Sequence, residues 1–118
     1  MSRARRLAPW LGLAVVLHVP LAPLVDWSLT DVLGEPYVAE TMQLGSDAEG
    51  EVVATLVTRR ADQPTDRAVL HVHGFADYFF HKEYAEWWNE RGYDFYALDL
   101  RKYGRSLLPH QTPNYTTA

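Results

Sequence analysis

Two short runs of the sequence carry side chains of the kinds that do chemistry. The first is residues 71–75, HVHGF, in which two histidines precede a glycine. The second is residues 99–106, DLRKYGRS, which combines a carboxylate, basic side chains and a serine. Imidazole, carboxylate and hydroxyl groups serve as general acids, general bases and nucleophiles in enzymes. These two runs are therefore the first candidates for a functional site.

The elements around the two runs predict how they are positioned. The first run lies at the end of an apolar strand at 69–72, and the second lies at the end of an apolar strand at 95–100. Between the two strands an amphipathic helix is predicted at about 79–91, and Gly92 is predicted to end it. Strand, glycine turn, helix and strand make a βαβ unit, which implies a parallel sheet. In open α/β sheets the chemistry lies at the carboxyl ends of the strands, where both runs fall.

The predicted helix carries an aromatic stripe at helical spacing, which we interpret as the face that packs on the sheet: Phe80, Tyr84, Trp87, Trp88 and Arg91. Upstream, strands at 37–44 and 52–58 flank a polar turn at 45–50 and predict an antiparallel hairpin. Residues 107–118 are predicted to be loop. The fold class is therefore α/β, with a hairpin followed by a βαβ unit of a mostly parallel sheet.

At these motifs the chain resembles the α/β-hydrolase family, and within it the serine aminopeptidase and monoacylglycerol-lipase-like branch. His73-Gly74-Phe75 matches the His-Gly motif after the third strand of that fold. Residues 99–106 match the family's Asp-x-Arg-x-x-Gly-x-Ser turn after its fourth strand. The resemblance covers residues 37–118 and implies a partial domain that ends before the G-x-S-x-G nucleophile elbow, a motif absent from this sequence.

The resemblance implies a role for each motif residue. The backbone N–H of Phe75 would be one oxyanion-hole donor, supported by Gly74 and His73. Asp99, Gly104 and Ser106 would form a structural turn. Ser106 lacks the second glycine of an elbow, since position 108 is leucine. The resemblance implies no cofactor and no metal.

The implied function belongs to the intact relative. It would be a serine hydrolase of small-molecule carboxylic esters or related acyl bonds, similar to lysophospholipases and acylglycerol lipases, with a Ser-His-Asp/Glu triad. This chain lacks nucleophile and triad, and we expect it to be inactive alone. Two alternatives stay open: a non-enzymatic domain that interacts through its aromatic helix, and a metal-dependent hydrolase that uses His71 and His73 as an H-x-H pair.

Composition limits the partners. The chain has 118 residues, no cysteine and a net charge of −4, with three of its arginines among the first six residues, which argues against nucleic acid. Residues 1–36 are interpreted as an apolar extension and linker. Residues 7–25 hold no Asp, Glu, Lys or Arg, so a signal peptide, a membrane anchor and a peripheral extension compete. We predict a cytoplasmic protein, with membrane association or export as alternatives.

The apolar strand at 69–72 has a further consequence. In the fold that the chain resembles, its neighbour would be a later strand, so here it is predicted to form an open sheet edge. Natural edges are short, charged or covered. We therefore expect self-association through this edge and through the apolar sheet face beside it.

Overall fold

The computed structural model describes residues 30–115. Its elements are β1 (Val38–Asp47), β2 (Gly50–Arg59), β3 (Ala68–Val72), α1 (Lys82–Glu90), β4 (Asp94–Asp99) and a 3₁₀ helix (Gly104–Ser106). The strands form one mixed sheet in the order β1-β2-β4-β3, in which β3 and β4 are parallel and the other pairs antiparallel. The result is a small α/β domain, and the predicted hairpin and βαβ unit are both confirmed.

The hairpin turn is tighter than the sequence suggested. Ser46 and Asp47, predicted to lie in the turn, still pair with Glu51 and Gly50 of β2. The Asp47 carboxylate accepts a hydrogen bond from the Glu49 amide at 2.8 Å, which closes the turn within two residues of the strand end. The register of β1 shifts between Gln43 and Ser46, so the polar segment became an irregularity in the strand and not a long loop.

The core lies on one face of the sheet, beneath α1. Its fully buried members come from both sheet and helix: Tyr37, Val57, Phe79, Ala85, Phe95 and Ala97. The opposite face carries apolar side chains that stay open to solvent. Leu70 is 59% exposed and Val72 48%, while Val38 and Met42 on β1 are each 37% exposed. Ala54, the cross-strand partner of Met42, lies on the same face and is only 5% exposed, so this face is buried at β2 and more open along the two edge strands β1 and β3.

The helix begins later than predicted, at Lys82 and not at residue 79. The reason is that the main-chain N–H and carbonyl of Phe79 form hydrogen bonds with residues outside the helix. Its N–H donates to the Asp99 carboxylate at 2.9 Å, and its carbonyl accepts from Arg105 Nη1 at 2.7 Å. A helix through Phe79 would need that carbonyl for its own ladder. The predicted end is confirmed, because Gly92 follows the C-cap with a φ of 80°.

The aromatic stripe is only partly the buried face of the helix. Phe80, Tyr84 and Trp87 are 43–45% exposed, although Trp88 packs against the core and the Tyr84 ring lies 5.7 Å from that of Phe95. The buried helix residues are instead Ala85 and Asn89. Asn89 turns inward because its side-chain amide donates to the carbonyls of Arg59 and Tyr93, both at 2.9 Å. Hydrogen bonds to the sheet therefore rotate the helix away from the phase that its aromatic residues suggested.

Two sequence-based predictions fall outside the described residues. The signal, anchor and extension hypotheses concern residues 1–25, which precede the described range. Between residues 30 and 115, no helix is long and apolar enough to cross a membrane. The predicted loop at 107–118 is confirmed as far as residue 115.

Candidate functional site

Asp99 is the central residue of the turn that follows β4. It ends a buried strand and is completely inaccessible to solvent. One carboxylate oxygen accepts the Phe79 amide, and the other accepts the Arg105 amide at 3.0 Å. The Asp99 carbonyl accepts the Ser106 hydroxyl at 2.7 Å. With its carboxylate fully occupied by the chain itself, Asp99 is a structural residue and has no oxygen free to act on a substrate.

Arg105 neutralises this buried carboxylate and a second one. Its Nη1 donates to Asp99 Oδ2 at 2.9 Å. Its Nε and Nη2 donate to the two carboxylate oxygens of Asp31 at 2.5 and 2.8 Å, which makes a bidentate pair. Burial of Arg105 opposes its charge, but the two carboxylates outweigh burial and raise the pKa of the guanidinium. Burial likewise acts to raise the pKa of Asp31, and its hydrogen bonds to Arg105 and to the Leu33 amide more than reverse this, so the Asp31 pKa is lowered.

Gly104 is the glycine that the turn cannot replace. Its φ is 45°, in the left-handed region that favours glycine. A Cβ at this position would lie 2.4 Å from Tyr78 Cβ and 2.6 Å from Asp99 Oδ2. The turn therefore places backbone where any side chain would meet the buried carboxylate.

Ser106 is buried in the same turn. Its hydroxyl donates to the Asp99 carbonyl, and the Thr55 hydroxyl lies 3.1 Å away on β2. The residue has no accessible surface. A nucleophilic serine has to reach a substrate and a base, and Ser106 reaches neither in this arrangement.

Lys102 joins the turn to the tip of the β1–β2 hairpin. Its ammonium is inaccessible to solvent and lies 2.6 Å from Asp47 Oδ2 and 2.5 Å from Glu49 Oε1. Desolvation disfavours the charged form, but the hydrogen bonds to Asp47 and Glu49 prevail and raise the pKa of Lys102. The same hydrogen bonds lower the pKa of both carboxyl groups. We call this cluster of Lys102, Asp47 and Glu49 the clamp. Local sequence patterns do not predict it, because Lys102 and Glu49 are 53 residues apart.

The clamp predicts how stability depends on pH. Because the carboxyl groups of Asp47 and Glu49 have folded-state pKa values below their ordinary 3.8 and 4.5, their stabilisation is present above those values and is lost as the pH falls through the lowered ones. We expect the free energy of unfolding to fall in that acid range. Lys102→Met should make the fall shallower, starting from a less stable protein at neutral pH.

Urea unfolding followed by circular dichroism at a series of pH values measures this slope. Arg60→Met is the matched control, since Arg60 pairs with Asp94 only at 3.6 Å and its side chain is 74% exposed. An acid slope that Lys102→Met and Arg60→Met alter equally would contradict the assignment of the slope to the clamp.

His73 fastens the loop after β3 to the chain after β4. Its Nε2 accepts the Leu100 amide hydrogen at 3.0 Å, so this nitrogen carries no proton. Its Nδ1 then donates to the Gly74 carbonyl at 2.8 Å. The ring also packs 4.8 Å from the Tyr103 ring, centroid to centroid. Both nitrogens are engaged by main-chain atoms, so His73 positions the two strand ends and is not arranged as a general base.

The loop that His73 holds is open to solvent. Phe75 is 83% exposed, and Ala76 has a φ of 54°. A Cβ at Gly74 would have no atom within 4 Å, so this glycine, unlike Gly104, leaves empty space beside the backbone. Within residues 30–115 no carbonyl or side chain accepts a hydrogen bond from the Phe75 amide. The loop therefore presents a free backbone donor next to open space.

His71 lies apart from the hydrogen-bonded site. Its ring packs among those of Phe79, Tyr84 and Phe95, with centroids 5.9, 5.5 and 6.3 Å away. Burial, reinforced by the nearby His81, lowers the pKa of His71. No group of three or more His, Cys, Asp or Glu side chains in the described part of the chain could hold a metal ion. Since both His73 nitrogens are occupied, the H-x-H pair does not present two free ligands.

A cavity of about 470 Å³ lies elsewhere, on the open face of the sheet, where Val38, Thr58 and Tyr96 contribute to its walls. It is separate from the strand ends that carry His73 and Asp99. The residues of the two motifs therefore do not line this cavity.

Comparison with known proteins gives no match: no family model, no curated protein and no solved structure matches the chain. The functional inference consequently depends on the motifs and on the geometry described above.

Proposed function

We propose that residues 37–118 are the amino-terminal part of an α/β-hydrolase domain, and that the intact enzyme is a serine hydrolase of carboxylic esters or related acyl bonds. The observation that carries the proposal is the unpartnered Phe75 amide at the carboxyl end of β3, beside the open space at Gly74. The two motifs bracket one helix in the order and at the strand ends that this fold requires.

The chemistry of acyl transfer explains why a free amide matters. Attack on an ester carbonyl creates a tetrahedral oxyanion, which preorganised N–H donors stabilise. In α/β-hydrolases one donor comes from the loop after the third strand. The Phe75 amide satisfies the main requirement, because no acceptor in residues 30–115 competes for it and because His73 fixes the loop to the neighbouring strand end.

The other motif residues act as support in this proposal. Asp99, Gly104 and Ser106 build the turn that holds β4 against the oxyanion loop, and none of them contacts a substrate. Nucleophile, acid and base of the Ser-His-Asp/Glu triad would come from sequence beyond the motifs found here, and the reaction would need no cofactor. The small-molecule ester substrate is part of the same proposal.

In a complete enzyme that contains the loop after β3, Gly74→Val tests the role of that loop in catalysis. The valine side chain would fill the open space beside the Phe75 amide and keep the oxyanion away from it, and removal of one such donor lowers turnover by about 10²–10³. Because a Cβ at Gly74 meets no neighbour, we expect the melting temperature to change little. Steady-state kinetics with a p-nitrophenyl ester, together with thermal melts, measure both effects.

The control for this variant is Phe75→Ala, which keeps the amide and removes only an exposed side chain. It should retain most of the turnover number. Unchanged turnover with weaker substrate binding in Gly74→Val would refute the oxyanion role of the loop.

The gene itself provides the most direct test of the family assignment. A G-x-S-x-G motif downstream of codon 118, in frame or after one frameshift, would support the hydrolase. A stop codon followed by unrelated sequence would count against it and favour the interaction domain. Metal analysis of the purified chain tests the third hypothesis, a hydrolase that uses His71 and His73.

One observation favours the interaction domain as a second candidate. Phe80, Tyr84 and Trp87 form a half-exposed aromatic surface on α1 and the loop before it, where the sequence predicted a buried face. Aromatic side chains are enriched at protein interfaces because they bury large areas at little entropic cost. Tyr84→Ser with Trp87→Ser would remove this surface while leaving the buried helix residues Ala85 and Asn89 in place.

A further inference from the structure

The outer edge of β1 is already paired at one end. Thr30 forms an isolated antiparallel bridge with Val38, and the Asp31 amide donates to the Tyr37 carbonyl at 3.0 Å. Asp31 is itself buried and is held in place by Arg105. In an antiparallel pair the residue before Thr30 lies opposite the residue after Val38, so the preceding chain is directed along β1.

The rest of this edge offers hydrogen-bonding groups. The Tyr37 carbonyl faces away from β2, and backbone direction alternates along a strand, so Ala39, Thr41 and Gln43 also face outward. No other strand or hydrogen bond within residues 30–115 uses the N–H and C=O groups of these three residues. Later strands of the fold proposed above would join beside β3, at the opposite edge of the sheet. The edge of β1 therefore stays open to the chain that precedes it.

The residues before the bridge alternate as an edge strand with one apolar face does. Residues 25–30 have the sequence VDWSLT, with apolar side chains at 25, 27 and 29 and polar ones at 26, 28 and 30. Valine and tryptophan are also enriched in strands. Sequence patterns alone assign this stretch to a linker, and the bridge at Thr30 supplies the register that they lack.

We propose that residues 25–29, which precede the described range, pair antiparallel with β1 as a fifth strand of the sheet. The pairing continues the bridge between Thr30 and Val38 without a change of register. Three cross-strand pairs follow from it: Leu29 with Ala39, Ser28 with Glu40, and Trp27 with Thr41. The pairing itself does not depend on the proposed hydrolase function.

The two faces of such a strand match the two faces of β1. Ala39 packs against the hydrophobic core, so Leu29 and Trp27 would extend the core beyond the present edge. Ser28 would lie beside the exposed Glu40 on the opposite face. A slip of one residue would turn both apolar side chains away from the core, which is why this register is the favoured one.

The pairing also determines where the preceding segment meets the sheet. Through its partner on β2, Thr41 lies level with Asp99, the last residue of β4. Trp27 would therefore lie at the carboxyl end of β4, on the side of the sheet that carries the Phe75 loop. Residues 7–24, which hold no charged side chain, would join the domain from that side. A membrane anchor in this segment would thus keep the Phe75 loop close to the lipid.

A disulfide tests the register in the full chain, which has no cysteine of its own. Residues opposite each other in an antiparallel pair have Cα atoms about 4.5–5.5 Å apart, within the range that a disulfide spans. We expect Ser28→Cys combined with Glu40→Cys to form an intramolecular disulfide under mild oxidation, identified by mass spectrometry of the digested monomer. Ser28→Cys combined with Thr41→Cys is the matched control and should stay reduced, because the side chain of residue 41 points to the other face.

Hydrogen exchange with two proline variants tests the same pairing without oxidation. Because the Asp31 amide faces β1, the Leu29 amide would face it as well, and the Ser28 amide would face away. We expect slow exchange at the Ala39 and Thr41 amides of the full chain. Leu29→Pro should lower their protection roughly tenfold, as loss of a hydrogen bond does, and Ser28→Pro should leave most of it in place.

Four outcomes would overturn the proposal. They are fast exchange at the Ala39 and Thr41 amides of the unaltered chain, equal effects of the two prolines, a disulfide from residue 28 to residue 41 in place of residue 40, and disulfides that form only between separate molecules.

Discussion

Gly104→Ala should unfold the domain or bring it close to unfolding. The substitution places a methyl group 2.4 Å from Tyr78 Cβ and 2.6 Å from the buried Asp99 carboxylate, at a φ of 45°. A left-handed non-glycine residue costs about 1–2 kcal/mol, and overpacking adds about 1–3 kcal/mol or more. The displaced carboxylate would also lose hydrogen bonds to Phe79 and Arg105. We expect a total of about 3–5 kcal/mol, a large part of the stability of a small domain.

Two other glycines separate the causes of this loss. Gly45 has a φ of 93° but no atom within 4 Å of a Cβ, so Gly45→Ala should cost only the backbone term of about 1–2 kcal/mol. Gly74 has open space and no positive φ, and Gly74→Ala should be close to neutral. Chemical denaturation followed by circular dichroism measures the three variants. Equal losses for Gly104→Ala and Gly45→Ala would mean that the contact with Asp99 is not what excludes a side chain.

Arg105→Leu should destabilise the domain by about 3–5 kcal/mol, because it leaves two buried carboxylates without a counter-ion. Asp31 and Asp99 are 5% and 0% exposed, and Arg105 is the basic residue that pairs with both. The carbonyl of Phe79 would lose its donor as well. The loop between β3 and α1 and the segment before β1 should both detach, which hydrogen exchange at Leu33 and Phe79 would detect.

Arg60→Leu is the comparison for this variant, because an exposed ion pair contributes about 0.2–1 kcal/mol. Arg105→Lys should fall between the two, since lysine keeps the charge but not the bidentate geometry. If Arg105→Leu cost no more than Arg60→Leu, the Asp31–Arg105–Asp99 network would not be holding the turn.

Local patterns in the sequence predicted the strands, the hairpin and the βαβ unit well, for a physical reason. The apolar runs at 69–72 and 95–100 are bounded by turn residues, and the glycine turn and helix between them leave the two strands no pairing but a parallel one. Gly92 was predicted to end the helix, and it does so with a left-handed φ. In these places the information lies within a few residues of the element that it specifies.

The start and the phase of α1 could not be predicted in this way. Phe79 is excluded from the helix by Asp99 and Arg105, which are 20 and 26 residues further along the chain. Asn89 occupies the inward position because Arg59, 30 residues earlier, accepts its amide. A hydrophobic pattern assigns the aromatic side chains to the core by default and cannot anticipate a polar residue with buried partners.

The buried ion pairs were the largest omission from the candidate site. Asp31 was interpreted as part of a linker, yet it is buried and pairs with Arg105 across 74 residues of sequence. Lys102 lies within residues 99–106 but had no predicted role. Its partners Asp47 and Glu49 were visible only as turn residues. Burial of a charge depends on which distant segments meet, and no local spacing encodes it.

The two hydrogen bonds of the His73 ring affect how the sequence of this chain would vary among relatives. Its two ring nitrogens bond to the Gly74 carbonyl and the Leu100 amide, which every residue type at those positions supplies, apart from proline at position 100. Substitutions at 100 can therefore accumulate without a compensating change at 73. In an alignment of relatives, column 73 would stay fixed while column 100 drifts independently of it. Covariation methods, which detect contacts through paired changes of side chains, would be blind to the bond that ties the two strand ends together.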